Sequence, residues 1–212
     1  MSRDKLIAGA VFALGLLALV GVWYSTLPGD QPEVAPPVVA GEDAPGPYLD
    51  IEIAGEGANG TITIDMMEQV APQHVARIVG LARDGAYDDV VFHRVIEGFM
   101  AQTGDVAFGR FGQDMRQAGR GGSDLPDLPA EFSDVPFARG VVGMARAQDP
   151  NSANSQFFIM FAPAPSLDGQ YTVVGRVTEG MDVVDAIKRG TGANGAVLGQ
   201  PDRMVRVSVR EN

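Results

Sequence analysis

The order of apolar and polar residues predicts a mainly β chain built of short strands. Segments 48–54 (YLDIEIA) and 61–66 (TITIDM) alternate in polarity around the turn-rich GEGANG, which is typical of a hairpin. Further short strands are expected near 90–95, 98–103, 140–145, 156–161 and 172–178. In the last strand we expect inward-facing Val205, Val207 and Val209 to alternate with outward-facing Arg206, Ser208 and Arg210.

Two segments have the period of a helix instead. One helix should begin near Pro72 and end before Gly85, with an apolar stripe formed by Val75, Ile78, Val79 and Ala82. A second helix is expected at about 181–189. None of the eight expected strands is apolar over a long run, which favours a closed antiparallel barrel over a parallel sheet.

The N-terminal residues predict a single transmembrane helix. Positions 6–24 are 19 consecutive, mostly apolar residues, and about 20 helical residues cross a bilayer core. Arg3 and Lys5 precede this run and the next basic residue is Arg77, so the positive-inside rule leaves the N-terminus in the cytoplasm. We therefore expect residues 1–27 to be a retained membrane anchor. A cleaved signal peptide and a buried helix are the alternatives.

Residues 28–47 predict a linker between this anchor and a domain at 48–212. Six prolines and four acidic residues favour an extended chain. The net charge of the 212-residue chain is −11; residues 1–47 carry −3, which leaves −8 for the domain. A domain this acidic, without a basic stripe, should not bind nucleic acid. The absence of cysteine excludes disulfides and thiolate chemistry.

The segment FHRVIEGFMAQTGD (92–105) places two polar side chains around large apolar ones. Arg94 and Gln102 lie eight positions apart, with Phe99 and Met100 between them. This pattern favours a shallow apolar pocket with one fixed cation and amide donors at its edge. It lacks the residues of a nucleophilic or metal site.

A second segment, GMARAQDPNSANSQFFIMF (143–161), shows the same contrast, since Gln156 and Phe158 would point to one face of a strand. A third, LDGQYTVVGRVTEGMDVV (167–184), follows it. In this order the segments resemble the cyclophilin family of peptidyl-prolyl cis-trans isomerases, in its short-looped bacterial form, over roughly 48–210. The resemblance implies an eight-stranded closed barrel with a helix over each open end.

The resemblance also implies a site and a reaction. Arg94 matches the catalytic arginine, whose guanidinium would stabilise the twisted Xaa-Pro bond more than the planar one. No covalent intermediate, metal or cofactor is required. The positions that match the substrate site are Phe99, Met100, Phe158 and Leu167 for the proline ring, Gln102 and Gln156 for the amides, Ala145 and Arg146 for the peptide backbone, and Tyr171 for the pocket wall.

Three positions depart from the better-known eukaryotic pattern. Ser166 stands where many members have tryptophan, Tyr171 replaces a histidine, and Arg146 replaces an asparagine before a loop about one residue longer. The catalytic arginine and the apolar residues are intact, so we expect these changes to affect the range of ligands. The inhibitor cyclosporin, which the family binds in this pocket, should bind less tightly without the tryptophan.

Other polar residues have less specific interpretations. Since the reaction needs no proton transfer, His93 is expected to be a structural histidine with satisfied hydrogen bonds. His74, on the first helix, is expected at the surface. The glycine-rich GRGGSD (119–124) lacks the lysine of a phosphate loop and is expected to be a mobile surface loop.

These observations together predict a monomeric prolyl isomerase anchored in a bacterial inner membrane, with its domain in the periplasm. It would assist the folding of exported proteins by acting on their proline-containing segments, modestly favouring basic or neutral ones because the domain is acidic. A soluble periplasmic form after cleavage is the alternative location. Two other functional classes are a proline-peptide binding module without turnover and a structural envelope protein.

Overall fold

The computed structural model describes residues 46–212, which contain nine β-strands, two α-helices and three short 3-10 turns. The predicted anchor at 1–27 and nearly all of the predicted linker at 28–47 lie outside the described residues. Between residues 46 and 212, no helix is long and apolar enough to cross a membrane.

The predicted hairpin, first helix and later strands are all present. The elements are β1 (Tyr48–Ala54), β2 (Gly60–Met66), α1 (Pro72–Arg83), β3 (Val90–Val91), β4 (Arg94–Ile96), β5 (Met100–Thr103), β6 (Val141–Met144), β7 (Phe157–Met160), β8 (Val173–Glu179), α2 (Met181–Ala186) and β9 (Arg203–Arg210). The 3-10 turns are Met115–Gln117, Pro165–Leu167 and Ala193–Gly195. Helix α2 ends earlier than the predicted 189, because the N–H of Lys188 donates to the Asp202 carboxylate.

The prediction of a closed eight-stranded barrel is wrong. The described residues form one antiparallel sheet in the order β3-β9-β1-β2-β8-β6-β7-β5-β4, and its edge strands β3 and β4 do not pair. The strand predicted at 90–95 is interrupted because the Phe92 N–H donates to the Asp202 carbonyl and the His93 carbonyl accepts from the Val197 N–H. Only two residues separate the edge strands, so the sheet curls until its edges approach each other without closing.

The burial of side chains confirms the predicted apolar stripe of α1 and most of the predicted alternation in β9. Val75, Ile78, Val79 and Ala82 are all buried. In β9, Val207 is buried while Arg206, Ser208 and Arg210 are exposed, as predicted. A β-bulge at Val205 shifts the register, so that Met204 is buried opposite Ile53 and Val205 is only partly buried.

His74 was predicted at the surface, and that prediction is wrong. Its side chain is fully buried, and its Nδ1 lies 2.5 Å from Oε2 of Glu131. The same carboxylate accepts the backbone N–H groups of Gln73 and His74, so it caps the first turn of α1 from 57 residues away. Burial alone would raise the pKa of Glu131, but hydrogen bonds from the His74 ring and from these N–H groups lower it.

Candidate active site

Strands β4, β5 and β7 bring the predicted polar and apolar residues into rows. Arg94 lies opposite Gln102, which in turn lies opposite Phe158. Met100 lies opposite Met160 in the neighbouring row. Directly opposed residues of antiparallel strands point to the same face, so the β4–β5 hairpin turns the eight-residue spacing of Arg94 and Gln102 into a contact.

The Arg94 guanidinium is held from two sides. Its Nη1 donates to Oε1 of Gln102 at 3.2 Å and lies 3.7 Å from the Met100 sulfur. Its Nε and Nη2 donate to the carbonyl and Oδ1 oxygens of Asn194 at 3.0 and 3.3 Å. Gln102 in turn donates to Gln156 at 2.9 Å. Burial lowers the pKa of Arg94, but a guanidinium remains charged at neutral pH.

Asn194 was not predicted from the sequence as a residue of the site. It lies in the 3-10 turn Ala193–Gly195 with φ 55° and ψ 30°, a left-handed conformation that asparagine adopts more readily than most residues. The Asn-Gly pair does indicate a turn. Its contact with a side chain 100 positions earlier leaves no trace in the local pattern.

A cavity of about 170 Å³, lined by both apolar and polar side chains, lies beside Arg94. With a single exception, it is lined by all of the predicted site residues: Arg94, Phe99, Met100, Gln102, Ala145, Arg146, Phe158, Leu167 and Tyr171. The exception, Gln156, lies behind Gln102 and reaches the site through that amide.

Aromatic rings form the floor of this cavity. The Phe158 ring stacks on Phe137 with centroids 5.7 Å apart, and Tyr171 meets Phe158 edge-on at 5.9 Å. Gly143 lies on β6, opposite Phe158 of β7, and its lack of a side chain makes room for the rings. A Cβ at this position would lie 2.6 Å from the Phe137 ring and 2.7 Å from the Phe158 ring. Phe158 is therefore part of the buried cluster and also of the cavity surface.

Asp105 fixes the glycine-rich loop 119–124, which was expected to be mobile. Its fully buried carboxylate accepts the backbone N–H groups of Gly119 and Gly121 at 2.7 and 3.0 Å. The Gly121 carbonyl accepts from Gln156 Nε2 at 2.7 Å. These bonds attach the loop to the edge of the site. No role was predicted for Asp105 from the sequence.

His93 is buried next to Gly119, and neither ring nitrogen makes a hydrogen bond of normal geometry within residues 46–212. The expectation of a structural histidine with satisfied hydrogen bonds is therefore wrong on the second point. Burial lowers the pKa of His93 to about 4, although the Asp105 charge and the Val91 backbone act in the opposite direction.

We expect the stability of the domain to fall on acidification between pH 6.5 and 4. The unfolded chain takes up a proton at His93 near pH 6.5, whereas the folded chain does so only near its pKa of about 4. The contribution of His93 is complete above pH 6.5 and is lost towards pH 4, about 3 kcal/mol in all. Urea unfolding across this range measures it. His93→Gln should flatten the profile, and an equal slope in both proteins would contradict the assignment.

Comparisons with known proteins agree with this geometry. Residues 48–209 match the family model described as cyclophilin type peptidyl-prolyl cis-trans isomerase/CLD. The chain is 56% identical over 153 residues to a probable peptidyl-prolyl cis-trans isomerase of Brucella suis, covering 71% of this chain and 78% of that protein. It is 36% identical over 156 residues to peptidyl-prolyl cis-trans isomerase CYP18-2 of Arabidopsis thaliana, covering 73% and 82%.

Solved structures have the same fold. Cyclophilin AquaCyp293 from Hirschia baltica superposes with a TM-score of 0.61 at 28% identity, covering 76% of this chain and 73% of that one. A Cryptosporidium parvum cyclophilin, crystallised in the presence of the dipeptide Ala-Pro, gives 0.64 at 21% identity, covering 78% and 99%. Fold and sequence together define an isomerase of peptidyl-prolyl bonds. The chain belongs to the cyclophilin family of these enzymes.

Proposed function

We propose that this isomerase uses Arg94 to accelerate rotation about Xaa-Pro bonds in exported proteins and thereby assists their folding. The observation that carries the proposal is a guanidinium fixed at the rim of a cavity with an aromatic floor. Rotation about a peptide bond has a barrier of about 18–20 kcal/mol. Before proline, cis and trans differ by only about 0.5–1 kcal/mol, so a catalyst is needed for rate.

In the proposed step the proline ring occupies the cavity over Phe158 and stays fixed. The preceding residue lies along the strand edge at Ala145 and Arg146 and rotates. As the bond twists, the proline nitrogen leaves conjugation and becomes a hydrogen-bond acceptor. Four of the five N–H groups of Arg94 have partners among residues 46–212, which leaves one N–H on Nη2 for this nitrogen. A donor that acts only on the twisted state lowers the barrier.

We also propose that residues 6–24 anchor the enzyme in the inner membrane with the domain in the periplasm. A reporter that works only outside the cytoplasm, fused after Gly46, should be active. The intact mass of the mature protein then separates the two exported forms, since loss of about 25 N-terminal residues would identify a cleaved signal peptide. A second reporter, one that works only in the cytoplasm, should be inactive at the same fusion site. Activity of that second reporter would contradict export.

Cyclosporin should inhibit this isomerase weakly. Ser166 is exposed in the turn Pro165–Leu167, next to Leu167 in the cavity wall. A tryptophan there would add an indole N–H donor to the contact with the inhibitor. It would also bury much of the roughly 150–250 Å² of surface that a large aromatic side chain buries. Ser166→Trp should therefore tighten inhibition at least tenfold, measured on one proline peptide. Glu52→Trp, on the exposed side of β1 and outside this cavity, is the control and should leave inhibition unchanged. Tight inhibition of the unmodified enzyme would contradict this reading of Ser166.

A further inference from the structure

A second cavity, of about 250 Å³, adjoins the proline cavity and shares Gln102, Ala145 and Arg146 with it. Its charge is opposite to that of the domain. Two arginines, Arg120 and Arg146, line it, and no carboxylate does among the described residues. This local excess of positive charge lies in a domain whose net charge is −8.

Arg146 holds its charge in place without a carboxylate partner. Its Nε and Nη2 donate to the Gln170 carbonyl at 3.3 and 3.0 Å, and its Nη1 donates to the carbonyls of Ala147 and Gln148. Its guanidinium also lies 4.4 Å from the centre of the Tyr171 ring. Neutral partners orient the guanidinium but leave its full positive charge at the wall between the two cavities.

Arg120 is the more available of the two. Its side chain makes no hydrogen bond or ion pair within the part of the chain that the structure describes, and the residue is exposed. Its backbone position is nevertheless fixed, because Gly119 and Gly121 on either side donate to Asp105. The base of the side chain is therefore anchored beside the cavity while the guanidinium remains able to take a new partner.

The other polar side chains of this cavity are occupied by internal contacts. Gln156 donates to the Gly121 carbonyl, and Ser152 donates to the carbonyl of Asp149. Asn154 accepts from Ser123 and donates to the Leu125 carbonyl. These groups hold the cavity walls together, which leaves the two arginines to recognise a ligand.

The nearest buried acid does not cancel this positive charge. Asp105 lies beneath the loop, where its carboxylate accepts four backbone N–H groups, those of Ala107, Phe108, Gly119 and Gly121. These peptide dipoles already stabilise its negative charge. Asp127 lies behind the cavity wall, where its carboxylate accepts from Asn154 Nδ2 at 2.9 Å, but it does not line the cavity. More distant acids act through solvent, and beyond about 8 Å their effect is largely screened at physiological ionic strength.

We propose that this cavity receives a carboxylate side chain of the substrate, an aspartate or glutamate within about two residues of the proline. The proposal rests on the proposed prolyl isomerase function and names a class of substrate for it. It reverses the preference for basic or neutral segments that the net charge predicts. The two arginines determine the substrate preference because they contact the substrate side chain directly, whereas the net charge of the domain acts at a distance.

The test compares peptide pairs that differ only in Glu or Gln, placed in turn at each of the two positions on either side of the proline. At one position, kcat/KM for the Glu peptide should exceed that for the Gln peptide about threefold to tenfold at low salt, as two partly exposed ion pairs allow. In 1 M salt the ratio should approach one, because the screening length falls to about 3 Å.

Variants then assign the effect to this cavity. Arg120→Gln should lower the Glu/Gln ratio and Arg120→Glu should invert it. The matched control is Arg206→Gln, which removes the same charge from an exposed arginine of β9 that lines neither cavity. The control should leave the ratio unchanged.

Three outcomes would overturn the proposal: a ratio of one at every position, a preference for Gln, or a Glu preference that Arg120→Gln leaves undiminished. The outcomes also separate it from the proposed function. If the Gln peptides are isomerised efficiently without any Glu preference, the acidic-substrate proposal fails alone. If no peptide of the series is isomerised, the failure lies with the proposed function.

Discussion

Arg94→Ala is expected to lower kcat/KM for a proline peptide by two to three orders of magnitude while peptide affinity changes less than about threefold. Removal of one preorganised donor to the transition state has effects of this size in other enzymes. The cavity proposed to seat the proline ring, formed by Phe99, Met100 and Phe158 among others, remains in the variant. A protease-coupled isomerisation assay gives the rate, and calorimetric titration gives the affinity.

Two further variants make this result specific. Arg94→Lys keeps the charge but loses the planar fork that bonds both Gln102 and Asn194, so its rate should fall between those of the wild type and the alanine variant. Arg206→Ala, on the exposed side of β9, is the control and should retain full activity. Unchanged turnover in Arg94→Ala would contradict the catalytic role of Arg94. Peptide binding without turnover in the wild type would favour the binding-module alternative.

Asp105→Ala is expected to lower the free energy of unfolding by about 3 kcal/mol or more. The carboxylate is completely buried and accepts four backbone N–H groups, two from each of two chain segments. Its loss leaves buried donors unsatisfied, at about 1–3 kcal/mol for each that water cannot reach. Loop 119–124 would also lose its attachment beside Gln102 and Gln156, so activity should fall with stability. Urea unfolding with the isomerase assay measures both.

The matched control for this variant is Asp124→Ala in the same loop. Asp124 is exposed, so its removal should change the unfolding free energy by less than about 0.5 kcal/mol. Asp105→Asn keeps one acceptor oxygen, so its loss of unfolding free energy should lie between the losses in Asp105→Ala and Asp124→Ala. A loss of less than 1 kcal/mol in Asp105→Ala would show that water or a shifted loop satisfies the freed N–H groups.

Much of the site could be predicted because its residues obey a local rule. Strand alternation places Met100 and Gln102 on one face, and the hairpin brings Arg94 beside Gln102. The resemblance then joined these positions to Phe158 and Leu167 on later segments. The closed barrel could not be predicted reliably, because closure depends on whether two edge strands pair, and the backbone of Phe92 and His93 binds another segment instead.

Periodicity in the sequence determined the mainly β class, helix α1 and the positions of the strands along the chain. The family resemblance of three ordered motifs supplied the residues around the cavity beside Arg94. The tertiary structure alone decided the contacts between distant positions: Asn194 on Arg94, Glu131 on the start of α1, and Asp105 on the glycine-rich loop. It also decided where charge lies. A net charge is a sum over the chain, and only folding brings Arg120 and Arg146 to one cavity without a carboxylate among the described residues that line it. Long-range hydrogen bonds and local fields have no sequence period, because the residues that make them meet only when the chain is folded.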